Sequence, residues 1–94
     1  MENCFLATKV TFFNEMYDIY TKLKFEGFDQ MVDAITVDSR IGRSHTQVPG
    51  PDGERGWGGH CFPKDTAAME YFGVDTPLLS QVIEVNARHR NEED

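Results

Sequence analysis

Asn3-Cys4-Phe5-Leu6-Ala7-Thr8-Lys9-Val10-Thr11-Phe12-Phe13-Asn14-Glu15 lies near the start of a 94-residue chain, and its apolar spacing sets the fold. Leu6, Val10, Phe13, Tyr17 and Tyr20 recur at helical intervals, and so do Phe5, Phe12, Met16, Ile19 and Leu23. The pattern predicts one long helix over roughly residues 3–26 with a stripe wider than a single core-facing surface needs. Such a helix packs on two sides. In a domain this small the second side is expected to belong to another subunit.

Working outward, Gly27 is the expected helix stop, and Asp29 the expected N-cap of a short helix reaching about Val37. From Asp38 to Phe62 no period survives. Six of the eight glycines fall there, with Pro49 and Pro51, and Pro-Gly-Pro-Asp-Gly at 49–53 is turn chemistry. A loop this long in a compact domain is more often functional than idle. Pro63 is expected to open a third helix ending near Phe72-Gly73. Thr76-Pro77 reads as N-cap and first helical residue of a fourth, with Leu78, Leu79, Val82 and Val85 along one face. The acidic Asn91-Glu92-Glu93-Asp94 sits at the wrong end of a helix dipole and is expected to fray. No segment alternates as a strand does. The fold class is all-α, in a single domain without repeats.

Composition excludes several function classes. No apolar run approaches the roughly 20 residues of a membrane span. Asn3, Thr8 and Lys9 interrupt the first apolar stretch, so no secretory leader is expected. Cys4 and Cys61 make no disulfide framework, which fits a reduced, cytoplasmic setting. A net charge of −7 argues against nucleic acid or an anionic membrane as partner. Between Arg40 and Lys64, however, four cations face two carboxylates, with His45 and His60 able to add charge. A positive island in an acidic chain suits a small phosphorylated ligand.

Residues 56–65, Gly-Trp-Gly-Gly-His-Cys-Phe-Pro-Lys-Asp, carry the chemistry. Cys61 stands just before a proline suited to a first helical turn, where the macrodipole and unpaired N–H groups favour an anion. A thiol there can have its pKa drawn from about 8.5 into the neutral range. Lys64 adds a cation and Asp65 a carboxylate. The plain alternative is a glycine turn, an inert buried thiol and ordinary capping. His60 beside Cys61 does not make a zinc site, since adjacent side chains rarely share one ion and no C-x-x-C or H-x-x-x-H pair occurs. No metal is expected, and a cysteine-hydrolase dyad with His45 or His60 has as little support. Cys4 reads as core or interface packing.

The same decapeptide resembles the catalytic-cysteine motif of the UDP-glucose/GDP-mannose dehydrogenase family. Residues 3–15 are similar to the start of that family's central helix, and Val37-Asp38-Ser39-Arg40-Ile41-Gly42 to its Asp-x-Arg-Ile-Gly turn. The resemblance runs from about Asn3 to Arg88 and covers only the central, dimer-forming domain. It implies a helical dimerisation domain similar to the 6-phosphogluconate dehydrogenase C-terminal-domain-like fold. The NAD-binding and carboxy-terminal nucleotide-binding domains have no counterpart in the chain.

The resemblance also implies a reaction, the NAD-dependent oxidation of a nucleotide sugar's C6 alcohol to a carboxylate through a cysteine thiohemiacetal and thioester. Cys61 takes the nucleophile's role, Asp65 that of the aspartate orienting water, and Asn3 that of an asparagine on the reacting oxygen. Arg40 falls on an arginine that reaches the neighbouring subunit's sugar nucleotide. Gly58 and Gly59 offer backbone N–H groups to the sugar, and Lys64 falls where the cofactor is contacted. The substrate class is a nucleotide sugar such as UDP-glucose, the assembly a homodimer. The family's lysine four residues before the asparagine falls ahead of Met1, so the chain alone is expected to be inactive. A stand-alone helical dimerisation or binding module is the rival reading.

Overall fold

The computed structural model describes residues 2–58 and 75–91. Among them the chain forms three helices and no strand: α1 (Glu2–Lys22), α2 (Phe28–Ile35) and α3 (Pro77–Asn91). The fold is all-α. The helix expected from Pro63 and the acidic end at 92–94 lie outside the described residues.

α1 stops before Gly27, for a reason the glycine conceals. Lys24 takes the left-handed conformation at φ 60°. Its N–H bonds to Thr21 O at 3.1 Å, and the Phe25 N–H reaches back to Tyr20 O at 2.8 Å. These paired bonds form a Schellman cap, with a lysine where glycine is usual. The hydrophobic contact that accompanies such caps is present, the Tyr20 and Phe25 rings meeting edge to face at 5.7 Å. Gly27, at φ 86°, instead precedes α2 and caps it without a side chain. Asp29 is therefore not the N-cap; it lies in the first turn, where the dipole favours a carboxylate. Thr36 closes α2 with its N–H and Oγ1 both on Val32 O, at 3.0 and 2.7 Å. α3 begins as expected, Ser80 N bonding to Thr76 O at 2.9 Å.

α1 has three working faces. Phe13, with the half-buried Met16, Tyr17 and Tyr20, packs against Phe28 and Val32 of α2 and against Val48. Tyr17 and Tyr20 both meet the Phe28 ring edge to face, at 5.2 and 5.7 Å. A second face buries Cys4, Ala7, Thr11 and Asn14. Those side chains are small or polar because α3 and the segment around Trp57 approach them; Ala7, Trp57 and Val82 make the second core cluster. The third face leaves Phe5, Phe12, Ile19 and Leu23 exposed. The first three are seven residues apart, a spacing that keeps them on one side of a helix.

α3 departs from expectation along its length. Val82 is buried, but Leu78 is 66% exposed, and the buried face continues through Asn86 and His89. Those positions follow Val82 by four and seven residues, one side of the helix. The buried surface of α3 is thus apolar at its start and polar at its end.

Candidate functional site

The polar half of α3 and the polar stripe of α1 face each other across residues 55–58. Between them the chain is held almost atom by atom. Asn14 accepts at Oδ1 from Arg55 Nε at 2.9 Å and from the Gly56 N–H at 3.1 Å. Asn86 accepts at Oδ1 from the Trp57 N–H at 2.7 Å and donates from Nδ2 to Trp57 O at 2.9 Å. The Trp57 indole donates to Thr11 Oγ1 at 2.8 Å, and Thr11 in turn donates to Ala7 O at 3.0 Å. A second donor reaches the Trp57 carbonyl, Arg90 Nε at 2.9 Å. Buried backbone groups outside helices need such partners, and here helix side chains supply them.

A charged layer lies beneath. Asp18 accepts from Arg55 Nη2 at Oδ1, 2.7 Å, and faces His89 Nε2 at Oδ2, 2.8 Å. Arg55 also lies over the Tyr17 ring, 5.1 Å from its centroid. The contact with a carboxylate assigns the His89 proton to Nε2. The buried His89 Nδ1 has no hydrogen-bond partner among the described residues.

The far side of Trp57 borders a cleft of about 500 Å³, whose walls include Val10, His45, Gln47, Asp52, Trp57 and Arg90. Arg90 ties the cleft's rim, with Nη1 on Glu54 at 2.5 Å and Nη2 on Asp52 at 3.0 Å. The Glu54 N–H and then the Arg90 guanidinium hold the Asp52 carboxyl below the usual carboxylate range. A β-carbon on Gly58 would meet Arg90 Nη2 at 2.6 Å, so its close neighbour here is the guanidinium.

The turn at 38–42 is anchored from α1. Lys9 Nζ donates to Ile41 O at 2.6 Å and to Gly42 O at 3.2 Å. Ile41 and Gly42 N–H groups both return to Asp38 O, at 2.9 and 3.1 Å. Arg40 forks onto the Asp38 carboxylate, Nε to Oδ1 at 3.0 Å and Nη2 to Oδ2 at 2.6 Å. The same contact lowers the Asp38 pKa and raises that of Arg40. Its side chain is 88% exposed. The Arg40 guanidinium is held by Asp38 on a turn open to solvent.

One expectation changes in this light. The positive island is offset in space, because Arg40, Arg43 and Arg55 pair with Asp38, Asp33 and Asp18 respectively, all outside the counted segment. Asn3 lies in the half-buried first turn of α1, Arg40 on the exposed turn and Gly58 at the edge of the cleft. Gly59, His60, Cys61, Lys64 and Asp65 lie outside the described residues. Sequence reasoning missed Asn14, Asp18, Asn86, His89 and Arg90 entirely. The available signal was the continuation of Val82's helical spacing into Asn86 and His89. Among the described residues no three His, Cys, Asp or Glu side chains gather as a metal site would require, and no helix is long and apolar enough to cross a membrane.

Comparison with known proteins bears on the whole chain. The model of the UDP-glucose/GDP-mannose dehydrogenase family, central domain, matches residues 1–88. UDP-glucose 6-dehydrogenase of Rickettsia typhi is 39% identical over 88 residues, covering 89% of this chain and 19% of that protein. UDP-glucose 6-dehydrogenase TuaD of Bacillus subtilis is 36% identical over 92 residues, covering 94% of this chain and 19% of its own. UDP-glucose 6-dehydrogenase AglM of Haloferax volcanii is 37% identical over 90 residues, with shares of 89% and 19%. No solved structure matches the chain. The chain spans about a fifth of the length of the curated relatives it matches.

Proposed function

Because the chain belongs to the UDP-glucose/GDP-mannose dehydrogenase family, we propose that it is the central dimerisation and catalytic-cysteine domain of a UDP-glucose 6-dehydrogenase-like enzyme. The observation that supports this best is the bracing of residues 55–58 between α1 and α3, since that segment runs straight into Gly59-His60-Cys61. A rigid approach to a nucleophile is what covalent catalysis needs.

In the proposed reaction bound NAD would supply the hydride acceptor for two successive oxidations of the sugar's C6. Cys61 thiolate adds to the aldehyde carbon and forms a thiohemiacetal. Its oxidation leaves a thioester. Water, oriented by Asp65, attacks the acyl carbon; the C–S bond breaks and the thiol is regenerated beside the carboxylate product. Thiolate suits the task because it both attacks and leaves well. Asn3 would bond the reacting oxygen, Gly58 and Gly59 the sugar, and Lys64 the cofactor. Arg40, exposed on its braced turn, would reach the partner subunit's nucleotide. A dinucleotide site needs a strand, a glycine turn and a helix. The described residues, three helices without a strand, do not make one, so NAD would be held chiefly elsewhere in the enzyme. Homodimerisation would cover Phe5, Phe12, Ile19 and Leu23, and the enzyme would work in the cytoplasm.

A second reading, a helical dimerisation module without turnover of its own, draws on the same exposed stripe. NADH formation from UDP-glucose separates them. The 94-residue chain alone should form none, and joining it to a dinucleotide-binding and a nucleotide-binding domain of the family should restore it. Cys61→Ser in the joined protein should then abolish production of the acid. Full turnover by the serine variant would remove the proposed role of Cys61; silence of every joined protein would favour the module.

A further inference from the structure

Asn86 directs one hydrogen bond from each end of its carboxamide to a single residue. Its carboxamide oxygen takes the Trp57 N–H and its nitrogen gives to the Trp57 carbonyl, as a neighbouring strand would. The pairing fixes which end of the amide is oxygen, because the reverse would set donor on donor and acceptor on acceptor. Asn86 is 8% exposed, so neither bond is shared with bulk water on easy terms. The backbone has adapted to it: Gly56 stands at φ 74° with its Cα so close that a β-carbon would lie 2.3 Å from Asn86 Oδ1. From the opposite side Asn14 takes the Gly56 N–H. Two carboxamides on two helices therefore fix consecutive peptide groups. Three residues after Gly58 comes Cys61, a reach of at most about 11 Å of extended chain.

We propose that Asn86 is a positioning residue for the cysteine segment, setting the direction in which the chain leaves Trp57 towards Cys61. The proposal rests on the role given to Cys61 above. The Asn86 side chain bonds the Trp57 peptide groups. It acts through the Trp57 backbone, and Asn14 supplies the second point without which one amide would allow rotation.

The test uses alkylation of the reduced 94-residue chain by iodoacetamide as a function of pH, following Cys61 and Cys4 separately. Cys4, 3% exposed, reports whether the fold is intact. In the parent chain Cys61 should react with a midpoint below the ordinary thiol value of about 8.5. Asn86→Leu keeps a similar volume and adds no charge. With Cys4 still protected, it should move the Cys61 midpoint up towards that value and slow its labelling at pH 7 several-fold. Val32→Ala, which loosens the other core cluster, should leave the midpoint where it was. An unchanged midpoint and rate in Asn86→Leu, or an equal shift in Val32→Ala, overturns the proposal. Should Asn86→Leu expose Cys4, hydrogen exchange in the parent decides: a slow Trp57 amide supports the clamp, and an amide exchanging as freely as an open loop refutes it. A parent Cys61 with an ordinary midpoint removes the activated thiol itself, and with it anything for Asn86 to position, whatever Asn86→Leu does.

Discussion

A β-carbon placed on Gly56 would lie 2.3 Å from Oδ1 of Asn86, closer than any such pair can stand, while one placed on Gly53 meets nothing within 4 Å. Both glycines hold positive φ, 74° and 81°. The two positions separate a backbone requirement from a packing requirement. Gly53→Ala should cost only the left-handed penalty of about 1–2 kcal/mol. Gly56→Ala should lose that plus the displaced buried amide, about 2–4 kcal/mol together. Urea denaturation of both variants checks this, and equal losses would mean that Asn86 yields freely.

Lys24 offers the opposite experiment. It occupies the left-handed position of the α1 cap at φ 60°, where a side chain is a liability. Lys24→Gly should stabilise the chain by about 0.5–1 kcal/mol, seen as a melting temperature higher by a few degrees. A fall would show that the lysine side chain matters more than its backbone angle.

These two cases also show what was legible beforehand. The existence of α1 and the start of α3 at Thr76-Pro77 could be read because helical periodicity and proline at the first turn act locally. The end of α1 could not. Gly27 advertises a stop, yet the cap forms at Lys24, where Tyr20 and Phe25 can stack, and that contact has no signature in spacing. The clamp on residues 55–58 was hidden more deeply. Thr11, Asn14, Asn86 and His89 are polar residues at helical spacing, a pattern that ordinarily marks a solvated face. Only the arrival of Gly56 and Trp57 between the helices turns them inward. The fold class came from periodicity, the cysteine motif from its residues; their mutual bracing depends on contacts 29 to 46 residues apart.

If the exposed stripe of α1 covers itself with a second copy, charge on it should separate the copies. Phe5→Glu with Phe12→Glu, at positions 65% and 51% exposed, should give a monomer of unchanged helix content by light scattering and circular dichroism. A variant that still dimerises places the interface elsewhere.

Acid should weaken the rim of the cleft. The Asp52 pKa is depressed in the folded chain by the Glu54 N–H and the Arg90 guanidinium. Its contribution is therefore full above the unfolded value of about 3.9 and is lost as pH falls through the lower folded value. Because the Asp52 side chain is 51% exposed, the effect should stay below about 1 kcal/mol. Asp52→Asn should flatten the acid limb of stability against pH below about pH 4 and change little at pH 7; an identical acid limb would deny the coupling.

The long reach of the clamp has a consequence for biosynthesis. Trp57 is translated 29 residues before Asn86, and Asp18 precedes His89 by 71. Chains emerge amino-terminus first at about 5–20 residues per second, so the interval before the anchors follow is on the order of seconds. During that interval α1 can form and Asn14 can be in place, but the Trp57 backbone has only one of its two fixed walls. A ribosome that stalls before codon 86 holds a nascent chain whose cysteine segment has been made and has nothing on α3 to hold it.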